Sequence, residues 1–112
     1  MVTVTLRLVA RPATREELRR RVHEMLFAPT RAEPGCITYR FYQDTENAAA
    51  FSFVEEWESW EALNDHFRSA HVSAFLAGLG ELLAEPPVAR FHEIASTRGL
   101  EALEEARAQV SA

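Results

Sequence analysis

The chain has 112 residues, enough for one hydrophobic core and too few for two. At 47% hydrophobic and 26% charged it has the composition of a folded domain rather than a disordered one. Its net charge of −5, from 17 acidic against 12 basic residues, gives no general attraction to nucleic acid or anionic lipid, so neither is expected as a partner.

Val2, Val4, Leu6 and Leu8 alternate with Thr3, Thr5 and Arg7, which predicts a first strand. The same start, "MVTVTLRLVARP", lacks the continuous apolar core of a signal peptide. No apolar run is long enough to cross a bilayer, so the expected location is the cytoplasm. "TREE" reads as a capping box, Thr14 accepting from the amide of Glu17 and the Glu17 side chain reaching back. Leu18, Val22, Met25 and Leu26 follow at helical spacing. Arg19, Arg20 and Arg21 share that helix with Glu16, Glu17 and Glu24 and read as a solvated face. "EPG" then breaks the chain.

"CITYRFYQD" predicts a second strand, with Ile37, Tyr39 and Phe41 on one side and Thr38, Arg40 and Tyr42 on the other. Cys36 is the sole cysteine, which excludes an intrachain disulfide and fits a reducing compartment. "FSFVEEWE" predicts the third strand, placing Phe51, Phe53, Glu55 and Trp57 on one face and Ser52, Val54 and Glu56 on the other. Ser59 caps a helix bearing Trp60, Leu63 and Phe67, and Ser69 caps a second piece with Val72, Phe75, Leu76 and Leu79. "EPPVARFHEIA" is a proline-led fourth strand, and the tail, residues 97–112, a charged helix with Leu100, Leu103 and Val110.

The order β-α-β-β-α-β predicts a ferredoxin-like α+β domain over residues 1–96, an antiparallel sheet with helices on one face. Large apolar groups on the other face, among them Tyr42 and Val54, call for a second sheet, most simply that of an identical subunit.

Glu55, between Phe53 and Trp57, is the least usual residue. An ionised, unpaired carboxylate there costs several kcal/mol, so it is protonated, in a polar cavity, or paired with Arg40 or Arg90. His66 and His71 lie near the helix–sheet boundary, where an imidazole can exchange protons near neutrality. Five residues apart, they diverge by roughly 140° on a continuous helix, and no third ligand is evident, so no metal is expected. The aromatic residues Tyr39, Phe53, Trp57 and Phe67 are core material or the walls of a slot for a flat ligand.

"EPGCITYRFYQD", followed by "FVEEWESWEALNDHFRSAHVSAF", resembles the antibiotic biosynthesis monooxygenase family of dimeric α+β barrels, over about residues 2–95. The resemblance implies a homodimer closing through its sheet faces, with a pocket in each subunit between sheet and helices. It further implies oxidation of an aromatic quinol or anthrone by O₂ with no cofactor (no metal, flavin or haem), the substrate anion itself reducing oxygen. Carried over by position, His66 is the proton acceptor and Glu55 orients it or is ionised beside it. Trp57 is a pocket wall and His71 a secondary polar contact. The haem-degrading branch needs a histidine where this chain has "SAFLAGL". Two alternatives stay open: a dimeric module that binds a small molecule without turnover, and a cofactor-free isomerase or cyclase.

Overall fold

The computed structural model describes residues 1–110. Strands β1 (Val2–Val9), β2 (Cys36–Gln43), β3 (Ala50–Trp57) and β4 (Val88–Glu93) form one antiparallel sheet in the order β2-β3-β1-β4. Helices α1 (Arg15–Met25) and α2 (Phe27–Arg31) join β1 to β2. Helices α3 (Trp60–Phe67), α4 (Ala70–Leu76) and α5 (Leu79–Leu82) join β3 to β4, and α6 (Glu101–Val110) follows. This is the ferredoxin-like α+β fold that the order of periodic segments predicts.

Strand alternation decides which residues meet the helices. Val2, Val4 and Leu8 of β1 and Phe51, Phe53 and Trp57 of β3 are all buried on the inner face. They form one cluster with Leu18 and Val22 of α1, Leu63 of α3, and Val72 and Phe75 of α4. Each large side chain so buried contributes on the order of 1.5–3 kcal/mol. The outer face carries the other set. Val54, on a central strand, is 36% exposed there and Tyr42 55%.

Three local expectations are corrected. Ile37 does not join Tyr39 and Phe41: a register shift between Cys36 and Thr38 sets Cys36 opposite Trp57 and leaves Ile37 exposed. A bulge adds one residue, and one residue flips the side chain to the other face. The capping box does not form either. Thr14 gives α1 no side-chain cap, its hydroxyl donating instead to the carbonyl of Leu82 at 2.8 Å. Glu17 accepts from Arg21 one turn on. Finally, the buried stripe of α3 is Leu63 and His66, while Trp60 and Phe67 are each 41% exposed and lie beside Phe91 of β4.

The serine caps form as expected. Ser59 Oγ accepts from the amide of Ala62, and Ser69 Oγ from that of Val72. No helix among the described residues is long and apolar enough to cross a membrane.

Candidate functional site

The site is assembled from a turn, a strand and a helix break. The turn is "EPG", ahead of β2. Gly35 has φ of 84°, and its carbonyl accepts from the amide of Glu58 at 2.9 Å. A Cβ at Gly35 would sit 2.5 Å from Cβ of Ala62 on α3, so only glycine permits so close an approach. That approach brings Glu33 onto α3. Its Oε2 lies 2.7 Å from Nδ1 of His66.

The break lies between α3 and α4. Ser69 is extended, its hydroxyl donates to the carbonyl of His66 at 2.6 Å, and the chain restarts as α4. A continuous helix would part His66 from His71; the break brings their ring centroids to 5.9 Å. Nε2 of His71 comes within 3.4 Å of the same Glu33 oxygen, without the alignment of a hydrogen bond. Glu33, His66 and His71 thus converge, with donor atoms all within 4.8 Å of one another. The carboxylate that a metal reading lacked is present.

His66 is only 3% exposed. Its ring lies 4.7 Å from the Trp57 ring and 5.6 Å, edge-on, from Tyr39. Burial lowers its pKa from 6.5; the Glu33 bond and charge oppose that shift without cancelling it, and His71 reinforces it. The neutral ring is therefore favoured at pH 7. An ionised Glu33 can only accept, so the ring hydrogen belongs on Nδ1 and Nε2 keeps its lone pair. Among the described residues nothing hydrogen-bonds Nε2.

Glu55 is equally buried, at 3% exposure. Its Oε1 accepts from the indole Nε1 of Trp57 at 3.0 Å. Arg40 and Arg90, which pair with Val54 and Thr5 in register, lie on the outer face and give it no ion pair. Burial raises its pKa from 4.5 to about 7, the Trp57 bond restraining the rise and the Glu33 charge adding to it. Glu55 thus holds or yields a proton near neutrality. Burial, with the Glu55 charge second, pushes the Tyr39 phenol well above its ordinary range and keeps it a neutral donor.

These groups border a cavity of about 180 Å³ between sheet and helices. Leu6, Leu8 and Phe53 line its sheet side, and Val72 and Phe75 its helix side. Phe67 and Leu76, both substantially exposed, mark its mouth. Tyr39, Glu55 and His66 are its polar groups. A polar groove of about 300 Å³ along Arg31, Thr38 and Arg40 is more open and shares only Tyr39 with them.

Of the residues singled out from the sequence, His66, Glu55, Tyr39, Phe53 and Phe67 therefore share one cavity. Trp57 and His71 do not line it. Trp57 is fully buried behind His66 and Glu55, and His71 faces Glu33. Nor does Glu55 orient His66, because Glu33 occupies that place. Glu33 escapes a sequence reading since an acid beside Pro-Gly looks like turn material. Its spacing of 33 residues from His66 leaves no local periodicity to notice.

Residues 1–78 match the family model described as "Antibiotic biosynthesis monooxygenase". "Putative monooxygenase Rv0793" of Mycobacterium tuberculosis is 38% identical over 85 residues, covering 76% of this chain and 82% of that protein. The solved structure of Rv0793 superposes with a TM-score of 0.80 over 88% of this chain and 98% of that one, at 32% identity. "Uncharacterized protein sll1783" of Synechocystis is 39% identical over 72 residues, 64% of this chain, which spans about half (49%) of that longer relative. A Pseudomonas aeruginosa protein, PA3566, superposes with a TM-score of 0.77 at 28% identity, over 85% of this chain and 94% of its own. By sequence and by fold, the chain belongs to the antibiotic biosynthesis monooxygenase family.

Proposed function

We propose that this protein is a cofactor-independent monooxygenase that oxidises a small hydroxylated aromatic compound, of quinol type, with O₂. The single observation that carries the reading is a neutral His66 lining the cavity, its Nδ1 held by Glu33 and its Nε2 without a hydrogen-bond partner among the described residues. Such a carboxylate–imidazole pair fixes the tautomer and leaves the free nitrogen as proton acceptor.

The steps follow from that placement. Nε2 of His66 takes the proton of a ring hydroxyl. The resulting anion is electron-rich, and in a cavity with little water it passes one electron to O₂, giving a ring radical and superoxide. The two combine at a ring carbon as a peroxide. The peroxide takes back the proton held on His66. As the O–O bond breaks, the hydrogen of the same ring carbon leaves as a proton to the Glu55 carboxylate, so that carbon becomes a carbonyl, and the departing hydroxide takes that proton from Glu55 to leave as water. Glu55 and the Tyr39 phenol are the donors available to the developing oxyanion.

Size narrows the substrate. A cavity of about 150 Å³ accommodates a benzene ring, so 180 Å³ suits one substituted ring, with any further ring at the mouth beside Phe67. A bicyclic quinol fits this pattern better than a three-ring anthrone.

The test is oxygen uptake by metal-free, flavin-free protein with a naphthohydroquinone. We expect stimulated uptake, and a loss of about a hundredfold in His66→Ala, the low end for removing a general base. Equal rates in the two proteins would remove His66 from the mechanism. Saturable binding with no turnover would make the chain a ligand-binding module instead. We also infer that two copies pair through the outer sheet face, since Val54 and Tyr42 are exposed there around a central strand.

A further inference from the structure

His66 lines the cavity, yet its Nδ1 is engaged by Glu33, a residue that does not. Behind the ring, Nδ1 of His66, Nε2 of His71 and Oε2 of Glu33 converge from α3, α4 and the turn before β2. Neither Glu33 nor His71 lines the cavity. Nε2 of His71 is sealed from solvent and has no hydrogen-bond partner among the described residues. A buried imidazole nitrogen left so is costly unless something occupies its lone pair or takes its hydrogen.

Two imidazoles and a carboxylate are a donor set for a borderline divalent ion such as Zn²⁺, with the remaining position left to water. Ligand bonds of about 2.0–2.2 Å put tetrahedral donors roughly 3.3 Å apart. The His71–Glu33 separation, 3.4 Å, already matches. The His66–Glu33 separation, 2.7 Å, has to open slightly, which replacing a shared hydrogen by an ion would do, and the two histidine nitrogens, within 4.8 Å of each other, have to draw together around it.

We propose that Glu33, His66 and His71 form a divalent-cation site, best matched by Zn²⁺, and that its occupation silences Nε2 of His66. The second half rests on the base role proposed above. A neutral imidazole has one N–H and one lone pair. With Glu33 holding the hydrogen on Nδ1, the lone pair is on Nε2. A metal ion needs the Nδ1 lone pair, so that hydrogen moves to Nε2 with no net gain or loss of protons. The cavity then meets a donor where it had an acceptor. Metal binding and proton abstraction exclude each other, and the ion acts as an inhibitor rather than a cofactor.

The experiment uses untagged, chelator-treated protein titrated with Co²⁺ and followed by visible absorption, then back-titrated with Zn²⁺. We expect one ion per chain, with the intense bands of a four-coordinate centre that Zn²⁺ abolishes. His71→Ala and Glu33→Gln should each weaken binding by about a hundredfold while keeping a cooperative thermal melt. His23→Ala and His92→Ala, which remove the other two histidines, should leave it unchanged. Absence of one-to-one binding below about 100 µM would overturn the site, as would equal binding by His71→Ala. Binding is read without turnover, so the site can stand even if the oxygenase reading falls. If the wild type binds Zn²⁺ and its oxygen uptake is unchanged or raised, the switch is wrong although the site is real.

Discussion

Glu55 and Glu56 are neighbours in the chain and opposites in the structure. Glu55 points inward, hydrogen-bonded to Trp57 in an apolar layer, with its pKa raised to about 7. Glu56 points outward and accepts from the hydroxyl of Thr38 at 2.6 Å, a half-buried cross-strand pair. One step along a strand turns a carboxylate from a surface partner into a group that exchanges protons under physiological conditions. The chemistry of a side chain here is set by which face of the sheet it occupies, because burial penalises the charged form of Glu55.

The largest effect should come from the inner layer. Trp57→Ala removes a fully buried indole and, among the described residues, the only hydrogen bond to the Glu55 side chain, so we expect a loss of about 3–5 kcal/mol in a denaturant melt. Disturbing the outer face should spare the fold and attack assembly. Val54→Asp places an uncompensated charge in the proposed subunit contact, at a cost of several kcal/mol of association. Light scattering should then report one chain where the wild type gives two. A wild type that is itself monomeric would remove the outer face from any dimer.

Glu55→Gln sharpens the comparison further. Its folded pKa is raised, so the stability of the wild type declines as pH climbs from 4.5 through about 7, while glutamine does not titrate. The amide oxygen can still accept from Trp57. Near pH 4 the variant and wild type should melt alike. Near pH 8 the variant should be more stable by up to about 3 kcal/mol, from 1.36 kcal/mol per pKa unit. A gap that is flat with pH would show that Glu55 is not held protonated. Glu56→Gln should move stability by about 0.5 kcal/mol or less at either pH, as expected away from buried charge.

Much of this molecule was legible along the chain. Alternation in "VTVTLRLV" and "FSFVEEW" placed Phe53, Glu55 and Trp57 on one face, and the serines at 59 and 69 marked the helix starts. The cavity residues His66, Tyr39 and Phe53 could also be named. Capping and bulging were not legible. Thr14 donates its hydroxyl to the carbonyl of Leu82, 68 residues away, and Ile37 was displaced by an extra residue in β2.

The sequence by itself determined the element order, the faces of the inner strands and the presence of an acid among aromatic residues, because these follow from local periodicity. Tertiary structure alone decided that Glu33, rather than Glu55, holds His66, and that His71 turns toward the same carboxylate. Those contacts depend on a glycine turn pressed against Ala62 and on a helix broken at Ser69. Both bring together groups that are distant along the chain or divergent on a straight helix, and the free energy of such contacts exists only once the sheet has closed under the helices.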